Sequence, residues 1–247
     1  CEDKVFGIIA DKNALFNADG SAQVVASRKV LGQTTPYAGD YGMSTNPESF
    51  ATDGYRSYFS DKNRGAILRL SQDGLTPISM AGMKDWFGDN LKRGVNADNY
   101  LAEINSVIGS YDSKKSLYNV TINQNLSPIK GVSFESPVDT SYTLSYGEDV
   151  KGWQSFKSFV PESGLSINNE YYTFKDGELW KHHSNETRNN FYGIQYYSDA
   201  TVILNEDSGS VKSFNTINYE GSQAKVSQGL TDDDYYNLAV KTGWYVD

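Results

Sequence analysis

A repeated β-hairpin unit constrains the fold of this chain more than any other feature of its sequence. The clearest copy spans residues 55–79, with an aromatic strand, a polar turn at Asp61-Lys62-Asn63, an apolar strand and a second turn at Asp73-Gly74. Asp-Gly between apolar runs favours a hairpin, because tight turns need a positive φ that glycine adopts without steric cost. A shorter copy spans residues 8–20, with Asp11-Lys12-Asn13 in the place of the first turn. Repeated hairpins are typical of propeller blades, so we predict an all-β, mainly antiparallel fold with propeller-like blades; a generic antiparallel assembly is the alternative.

Residues 81–112 interrupt this pattern and predict a short helical insert. Apolar residues recur at helical spacing in two stretches, the first between residues 81 and 93. In the second, Asn96 is positioned to cap a helix that Gly109 ends. We interpret the spaced side chains as core residues of helices that pack on a sheet. They are Met83, Trp86, Phe87 and Leu91 in the first stretch, and Tyr100, Leu101, Ile104, Val107 and Ile108 in the second.

After the insert, the apolar period returns to two, which predicts half-buried antiparallel strands. Asp176-Gly177 marks the clearest hairpin, between residues 170 and 183. Further strands are predicted at 193–197, 201–204 and 211–219, and a short helix at 231–241. The predicted domains are therefore β-hairpin repeats (1–80), the helical insert (81–112) and an antiparallel β region with a short C-terminal helix (113–247).

Composition excludes several classes of protein. The net charge of −9 over 247 residues argues against a nucleic-acid partner, because phosphate binding needs a basic surface. No run of about 18 apolar residues is present, so no membrane span is predicted. Cys1 is the single cysteine, which excludes an intrachain disulfide.

The two ends of the sequence predict a piece of a longer polypeptide. The chain starts with Cys1 rather than Met, and its last residues, 243–247, resemble the opening of another strand. The alternative is a mature extracytoplasmic lipoprotein with its lipid on Cys1. A polar tether usually follows such a cysteine, whereas Val5 already begins an apolar run.

The catalytic inventory is poor and predicts neither an enzyme nor a required cofactor. His182 and His183 are the only histidines, and as neighbours on a strand they point to opposite faces. No nucleophile elbow, phosphate loop or dinucleotide fingerprint is present. The aspartates at 232–234 are interpreted as the first turn of a helix rather than as a calcium site, so no metal site is predicted.

Acidic and aromatic residues occur together between residues 148 and 180. Aromatic rings stack on sugars, and paired carboxylates cleave glycosidic bonds. The candidate sugar or partner contacts are Trp153, Tyr171, Tyr172 and Trp180, although both tryptophans are more typical of a core. For hydrolysis the best pair would be Glu148 with Glu170 or Glu178; solvated turn carboxylates are the simpler interpretation.

Four blocks of sequence, in this order along the chain, resemble large virion structural proteins of tailed bacteriophages, of the type found in marine phages and phages of Bacteroidetes. The first runs from Tyr58 through the Asp73-Gly74 turn to the Gly82-Met-Lys-Asp-Trp-Phe87 segment. The other three are Ser145–Phe159, Tyr171–Trp180 and Val211–Gly221. The resemblance begins near residue 5 and covers most of the chain.

This resemblance implies a non-enzymatic part of a virion, in the tail, neck or baseplate. Its expected partners are other virion proteins and further copies of itself as a homo-oligomer in the particle. A carbohydrate-binding or host-recognition module, contacting a glycan on the host surface, is the alternative function. The family supplies no catalytic motif that matches residues of this chain.

Overall fold

The computed structural model describes residues 2–16, 22–92, 94–95, 100–128, 138–201 and 209–213. The chain divides into two compact units, Cys1–His182 and His183–Asp247. Within the described residues the fold is mainly antiparallel β, as the sequence predicts, and it contains one short α-helix. The domain boundaries predicted at residues 80 and 112 stay predictions.

Antiparallel sheets account for most of the described part of the first unit. A two-stranded ribbon pairs β1 (Phe6–Phe16) with β2 (Ala22–Pro36). A four-stranded sheet contains β3 (Ala51–Asp53), β4 (Arg56–Asp61), β5 (Ala66–Ser71) and β6 (Gly74–Pro77), and helix α1 (Lys84–Leu91) follows it. A five-stranded sheet contains β7 (Gly94–Val95), β8 (Tyr100–Asp112), β9 (Leu117–Pro128), β10 (Val138–Gly147) and β11 (Gly152–Lys157). A three-stranded sheet contains β12 (Ser163–Ile167), β13 (Glu170–Lys175) and β14 (Glu178–Lys181).

The hairpins predicted at residues 55–79 and 170–183 are confirmed. Strands β4, β5 and β6 pair consecutively, and the turn after Asp61 lies where the polar residues predict it. Between β13 and β14, Asp176 and Gly177 both have positive φ, 53° and 77°. Two successive positive φ values define the turn that Asp-Gly favours in two-residue hairpins.

The turn predicted at Asp11-Lys12-Asn13 is wrong, because these residues continue strand β1. The pairing of β1 with β2 shifts between Ile8 and Ala10 and again between Ala10 and Lys12. The polar residues are therefore accommodated by irregular strand pairing rather than by a chain reversal. The predicted turn at residues 19–20 lies outside the described residues.

The helical insert is correct in its first stretch and wrong in its second. Helix α1 buries Phe87 and Leu91, as the spacing predicts. Residues 100–112, however, form strand β8. Val107, Ile108 and Tyr111 are all buried, because both faces of this part of the strand are covered. A strand buried on both faces loses its alternation, and its apolar residues then match a helical spacing by chance.

The sheets of the first unit pack as layers around the five-stranded sheet. Tyr58 of the four-stranded sheet stacks on Tyr118 of β9, with ring centroids 4.7 Å apart. On the other face of the five-stranded sheet, Ser110 contacts Tyr171 of β13. The buried apolar core lies mainly between the four- and five-stranded sheets and includes Phe87 and Leu91 of α1.

The described residues contain no propeller, so that part of the fold prediction is corrected. Blades would be similar four-stranded sheets repeated around an axis. Here the sheets have two, five, three, two and four strands. The repeated sequence was misleading, because Asp61-Lys62-Asn63 reverses the chain whereas Asp11-Lys12-Asn13 continues a strand.

In the second unit, a small hairpin joins β15 (Asn190–Phe191) to β16 (Ile194–Gln195). Strand β16 falls within the strand predicted at 193–197 but is shorter, whereas β15 precedes that range. Of the strands predicted at 201–204 and 211–219, residues 201 and 211–213 are described, and they are not in strands. The helix predicted at 231–241 lies outside the described residues.

Candidate functional site

The three-stranded sheet carries apolar side chains on the face that is turned to solvent. Residues opposite one another on neighbouring strands share a face, and Leu165 lies opposite Tyr172, as Phe174 lies opposite Leu179. Ile167 joins them, two residues beyond Leu165 on β12. We call these five residues the outer face. Leu165, Ile167 and Leu179 are 36%, 55% and 59% exposed, and the two aromatic residues are half-buried.

The opposite face of this sheet is mixed, with small and polar residues beside two large aromatic residues, Tyr171 and Trp180, and it packs on β8. The hydroxyl groups of Ser110 and Tyr171 share a hydrogen bond of 2.7 Å. Thr173 shares another, also 2.7 Å long, with the Nε2 atom of His182. Gly164 allows the close approach, since a Cβ atom there would lie 2.9 Å from Cβ of Ser110.

A sheet exposed to water on one side normally buries its apolar face and solvates its polar face. The three-stranded sheet departs from this pattern, because Leu165, Ile167 and Leu179 lie on the face that is turned to solvent. Single exposed apolar residues are ordinary on a protein surface, whereas a contiguous apolar patch often marks an interaction site. The outer face is therefore the strongest candidate for a contact with another molecule.

An ion cluster borders the outer face. The Glu170 carboxylate lies 3.4 Å from Nζ of Lys114 and 3.3 Å from Nζ of Lys181. Partial desolvation acts to raise the pKa of Glu170, but hydrogen bonds and attraction from Lys181 and Lys114 outweigh it, so the net pKa is lowered. The three side chains of this cluster sum to one positive charge.

An apolar groove of about 380 Å³ lies at the base of the β1–β2 ribbon. Buried Phe59 and half-buried Val5 and Met43 line it, together with the exposed residues Phe6 and Ile8. The groove is open to solvent and is the second candidate for a contact with another molecule.

The four predicted sugar contacts do not share one surface. Tyr172 lies on the outer face, whereas Tyr171 is buried on the inner face of the same sheet. Trp180 lies opposite Thr173 and so belongs to the inner side. Trp153 packs on Phe87, with ring centroids 4.6 Å apart, and its indole N–H donates a hydrogen bond of 3.1 Å to the carbonyl of Ile78.

The three predicted carboxylates have different surroundings, and two of them are engaged by cations. Glu148 accepts a hydrogen bond of 2.7 Å from the Tyr58 hydroxyl and lies 2.9 Å from Nε of Arg69. Glu170 has a lowered pKa, which is the opposite of what a general acid needs. Glu178 is exposed on β14. These surroundings favour structural roles for Glu148 and Glu170.

The described residues contain no cluster of three or more histidine, cysteine or acidic side chains arranged to hold a metal ion. Among the same residues, no helix is long and apolar enough to cross a membrane.

Sequence reasoning missed the outer face as a candidate site. Leu165 and Ile167 alternate with Gly164 and Ser166, which is a signal for a strand with one apolar face. That pattern is normally interpreted as burial of the apolar face. The small residues between them were the signal that the other face packs closely, because Gly164 allows close contact with Ser110.

Two comparisons with known proteins point to the same group of phages. The family model of the crassvirus muzzle protein C-terminal domain matches residues 186–244. The muzzle protein of Bacteroides phage crAss001 is 20% identical to this chain over 197 residues, which is 79% of this chain and 12% of that protein. The chain therefore spans about an eighth of the length of this relative. It is similar over most of its own length to a Bacteroides phage muzzle protein, which confirms the resemblance to large virion proteins of tailed phages indicated by its sequence.

Proposed function

We propose that the chain is part of a virion structural protein of the muzzle kind, at the tail or neck end of a phage particle, and that it acts through contacts with other virion proteins. The similarity to a Bacteroides phage muzzle protein supports this proposal. The observation that carries it is the outer face, an apolar strip across three strands that stays exposed in the single chain. We also propose that the chain catalyses no reaction and requires no cofactor.

The physical argument is that burying the outer face against a partner stabilises an assembly. Each large aliphatic side chain moved from water to a packed interface contributes roughly 1.5 to 3 kcal/mol. Leu165, Ile167 and Leu179 are exposed in the single chain, so this stabilisation becomes available only on association. An assembly component is expected to keep such a surface despite its cost in solubility.

The test is incorporation into particles. Phages carrying Ile167→Ser or Leu179→Ser should yield purified particles with at least tenfold less of this protein, measured by quantitative mass spectrometry, because an anchor lost from an interface costs more than about 1.4 kcal/mol. Val150→Ser is the matched control, since Val150 is 60% exposed in the turn after β10 and lies outside the outer face. Normal incorporation of both outer-face variants would contradict the proposal.

Carbohydrate binding is the second candidate function, because Tyr172 and Phe174 place aromatic rings on the solvent-facing side of the sheet. Aromatic faces stack on sugar rings. A glycan array with the wild-type chain and with Tyr172→Ala, Trp153→Ala and Trp180→Ala tests this candidate. Tight binding that Tyr172→Ala abolishes would favour host recognition, whereas loss in either tryptophan variant would instead implicate a ring that packs away from the outer face.

A further inference from the structure

The side of β8 that faces the three-stranded sheet is mainly polar. Ser110 and Asp112 are buried on this side, and they alternate with Tyr111, which belongs to the apolar core on the other side. Ile108 adds an apolar residue to the same side. Tyr171 of the three-stranded sheet meets it through its hydroxyl group, which shares a hydrogen bond of 2.7 Å with Ser110. Polar contacts therefore make up much of the interface between β8 and the three-stranded sheet.

Ser166 on β12 lies at the centre of these polar contacts. Its hydroxyl accepts a hydrogen bond of 3.1 Å from the N–H of Ser113 and donates one of 2.7 Å to the carbonyl of Tyr111. Lys114, in the same turn, lies 3.4 Å from the carboxylate of Glu170, but both side chains are partly exposed and such a pair contributes little. The side chain of Ser166 thus joins β12 to the backbone at the end of β8.

The apolar clusters of the described residues leave the three-stranded sheet out. One cluster lies between the four- and five-stranded sheets, and the other includes the groove; neither contains a residue of β12, β13 or β14. Tyr171 and Phe159 both pack on His182, with ring centroids 4.9 and 4.8 Å apart, so these aromatic contacts lie within residues 159–182. Burial of large apolar side chains contributes more to stability than hydrogen bonds do. The three-stranded sheet is therefore held less firmly than the other two sheets hold each other.

Residues 159–182 are also bonded closely to one another. Beyond the strands themselves, the N–H of Glu162 donates a hydrogen bond of 2.9 Å to the carbonyl of Phe174. At the other end, the N–H of His182 donates one of the same length to the carbonyl of Tyr171. Both ends of the segment are thereby tied into the sheet, so we expect its strands to open together. We call residues 159–182 the β12–β14 module.

We infer that the β12–β14 module detaches from β8 and unfolds as one cooperative unit while the four- and five-stranded sheets stay folded. Proteins open in such units, and the units with few buried apolar contacts open at the lowest free energy. The detached module is too short to stay folded, since chains below about 40 residues rarely bury enough surface to fold alone. The outer face is one side of this module, so the part of the first unit that opens first is the part that carries the outer face. This inference does not depend on the proposed function.

The test is hydrogen–deuterium exchange of the 247-residue chain, measured by mass spectrometry at urea concentrations below the global transition. Amides of β13 should be protected at least about 100-fold less than amides of β9. Peptides from β12, β13 and β14 should share one urea dependence, shallower than that of β9, because this opening exposes less surface. Equal protection and equal urea dependence in β13 and β9 would show a single cooperative unit. No urea dependence in β13 would show fraying of single strands. Either result would overturn the inference.

Two variants separate opening of the module from global unfolding. The contact between Tyr118 and Ser49 persists when the module opens, so Tyr118→Phe should lower the protection of β9 about fivefold and leave that of β13 unchanged. Ser166→Ala should lower the protection of both strands about tenfold, because its two hydrogen bonds are lost in either opening. Ser163→Ala, at an exposed position on β12, is the matched control and should change neither. Equal losses in β9 and β13 for Tyr118→Phe, or unchanged β13 protection in Ser166→Ala, would contradict the inference.

Discussion

At the scale of single residues, Asp61 shows how one buried carboxylate fixes several segments of chain. It accepts hydrogen bonds from the N–H of Gly42 at 3.0 Å and from the hydroxyl of Ser44 at 2.8 Å. It also accepts from the N–H of Arg64 at 3.1 Å and lies 3.0 Å from Nη1 of that residue. The aspartate of the repeated turn motif therefore holds the turn after β4 against the segment that lines the groove.

We expect Asp61→Ala to lower the free energy of unfolding by about 3 kcal/mol, because it leaves several buried donors without an acceptor. Urea denaturation measures this change. Asp73→Ala is the matched control, since Asp73 occupies an exposed turn of the same sheet and its loss should cost less than about 0.5 kcal/mol. Equal effects of the two substitutions would contradict the anchoring role.

Three stacked tyrosines, Tyr58, Tyr111 and Tyr118, give the core a predictable response to alkaline pH. Burial raises the pKa of each above its ordinary value of 10.0, and for Tyr58 a hydrogen bond to Glu148 adds to this. The folded state therefore keeps its phenol protons at a pH at which the unfolded chain has released them. Stability must then fall as the pH rises above 10.

The substitution Tyr118→Phe tests how much one of these tyrosines contributes to the loss of stability at alkaline pH. At pH 7 it should destabilise the fold by about 1 kcal/mol, because the Tyr118 hydroxyl donates to the carbonyl of Ser49 at 2.9 Å. Above about pH 10 the difference in the free energy of unfolding from wild type should shrink. Wild type loses stability there because Tyr118 releases its proton in the unfolded state, whereas phenylalanine has no such proton. Urea midpoints from pH 7 to about pH 11 measure this trend. Tyr55→Phe is the control for removing a tyrosine hydroxyl outside the core, since Tyr55 is exposed; a constant difference for Tyr118→Phe would contradict the argument.

At the scale of elements, two glycines report whether residues 84–112 form one helix followed by a strand. A Cβ atom at Gly109 on β8 would lie 1.9 Å from the carbonyl oxygen of Ser49, whereas one at Gly88 in α1 would meet nothing within 4 Å. We expect Gly109→Ala to destabilise the fold by about 2 kcal/mol or more through overpacking. Gly88→Ala should stabilise it by up to about 1 kcal/mol through helix propensity. Thermal unfolding measures both; stabilisation by both substitutions would instead support a second helix.

The elements that the sequence predicted well are those whose two faces have different surroundings. Strand β9 alternates because Tyr118 and Ile122 enter the apolar core while Asn119 and Thr121 form the other side. The Asp176-Gly177 hairpin was predictable because its backbone demands positive φ. Strand β8 was not, because both of its faces are buried between Val107 and Tyr111 and its apolar residues there do not alternate.

The candidate site was less predictable than the fold, because the direction of a face is a tertiary property. Tyr171 and Tyr172 look equivalent in the sequence, yet one is buried against Ser110 and the other lies on the outer face. Because neighbouring residues of a strand point to opposite faces, the sequence predicts that the two tyrosines lie on different faces, but not which face is exposed to solvent. Their assignment needed the packing of the three-stranded sheet on β8.

At the scale of the whole molecule, polar contacts between sheets complement the apolar core. Glu148 follows β10 of the five-stranded sheet and reaches across to the four-stranded sheet. There it accepts a hydrogen bond from Tyr58 and pairs with Arg69 at 2.9 Å and Arg56 at 3.7 Å. The side chains of Arg69 and Glu148 are largely buried, so this group is screened less by solvent than an ordinary surface ion pair.

The substitution Glu148→Gln should therefore weaken the contact between the four- and five-stranded sheets. Arg69 would keep its charge in a largely buried position without a counterion, and we expect a loss of about 2 to 3 kcal/mol in the free energy of unfolding. Glu178→Gln is the matched control, because Glu178 is exposed on β14 and its substitution should cost less than about 0.5 kcal/mol. Urea denaturation of both variants measures the difference in the free energy of unfolding. Combining Tyr58→Phe with Glu148→Gln gives the coupling energy between the two side chains. A loss equal to that of Glu178→Gln, with no coupling to Tyr58, would mean that aromatic packing alone joins the sheets. The predicted loss, together with coupling to Tyr58, would assign Glu148 a structural role through its contacts with Tyr58 and Arg69.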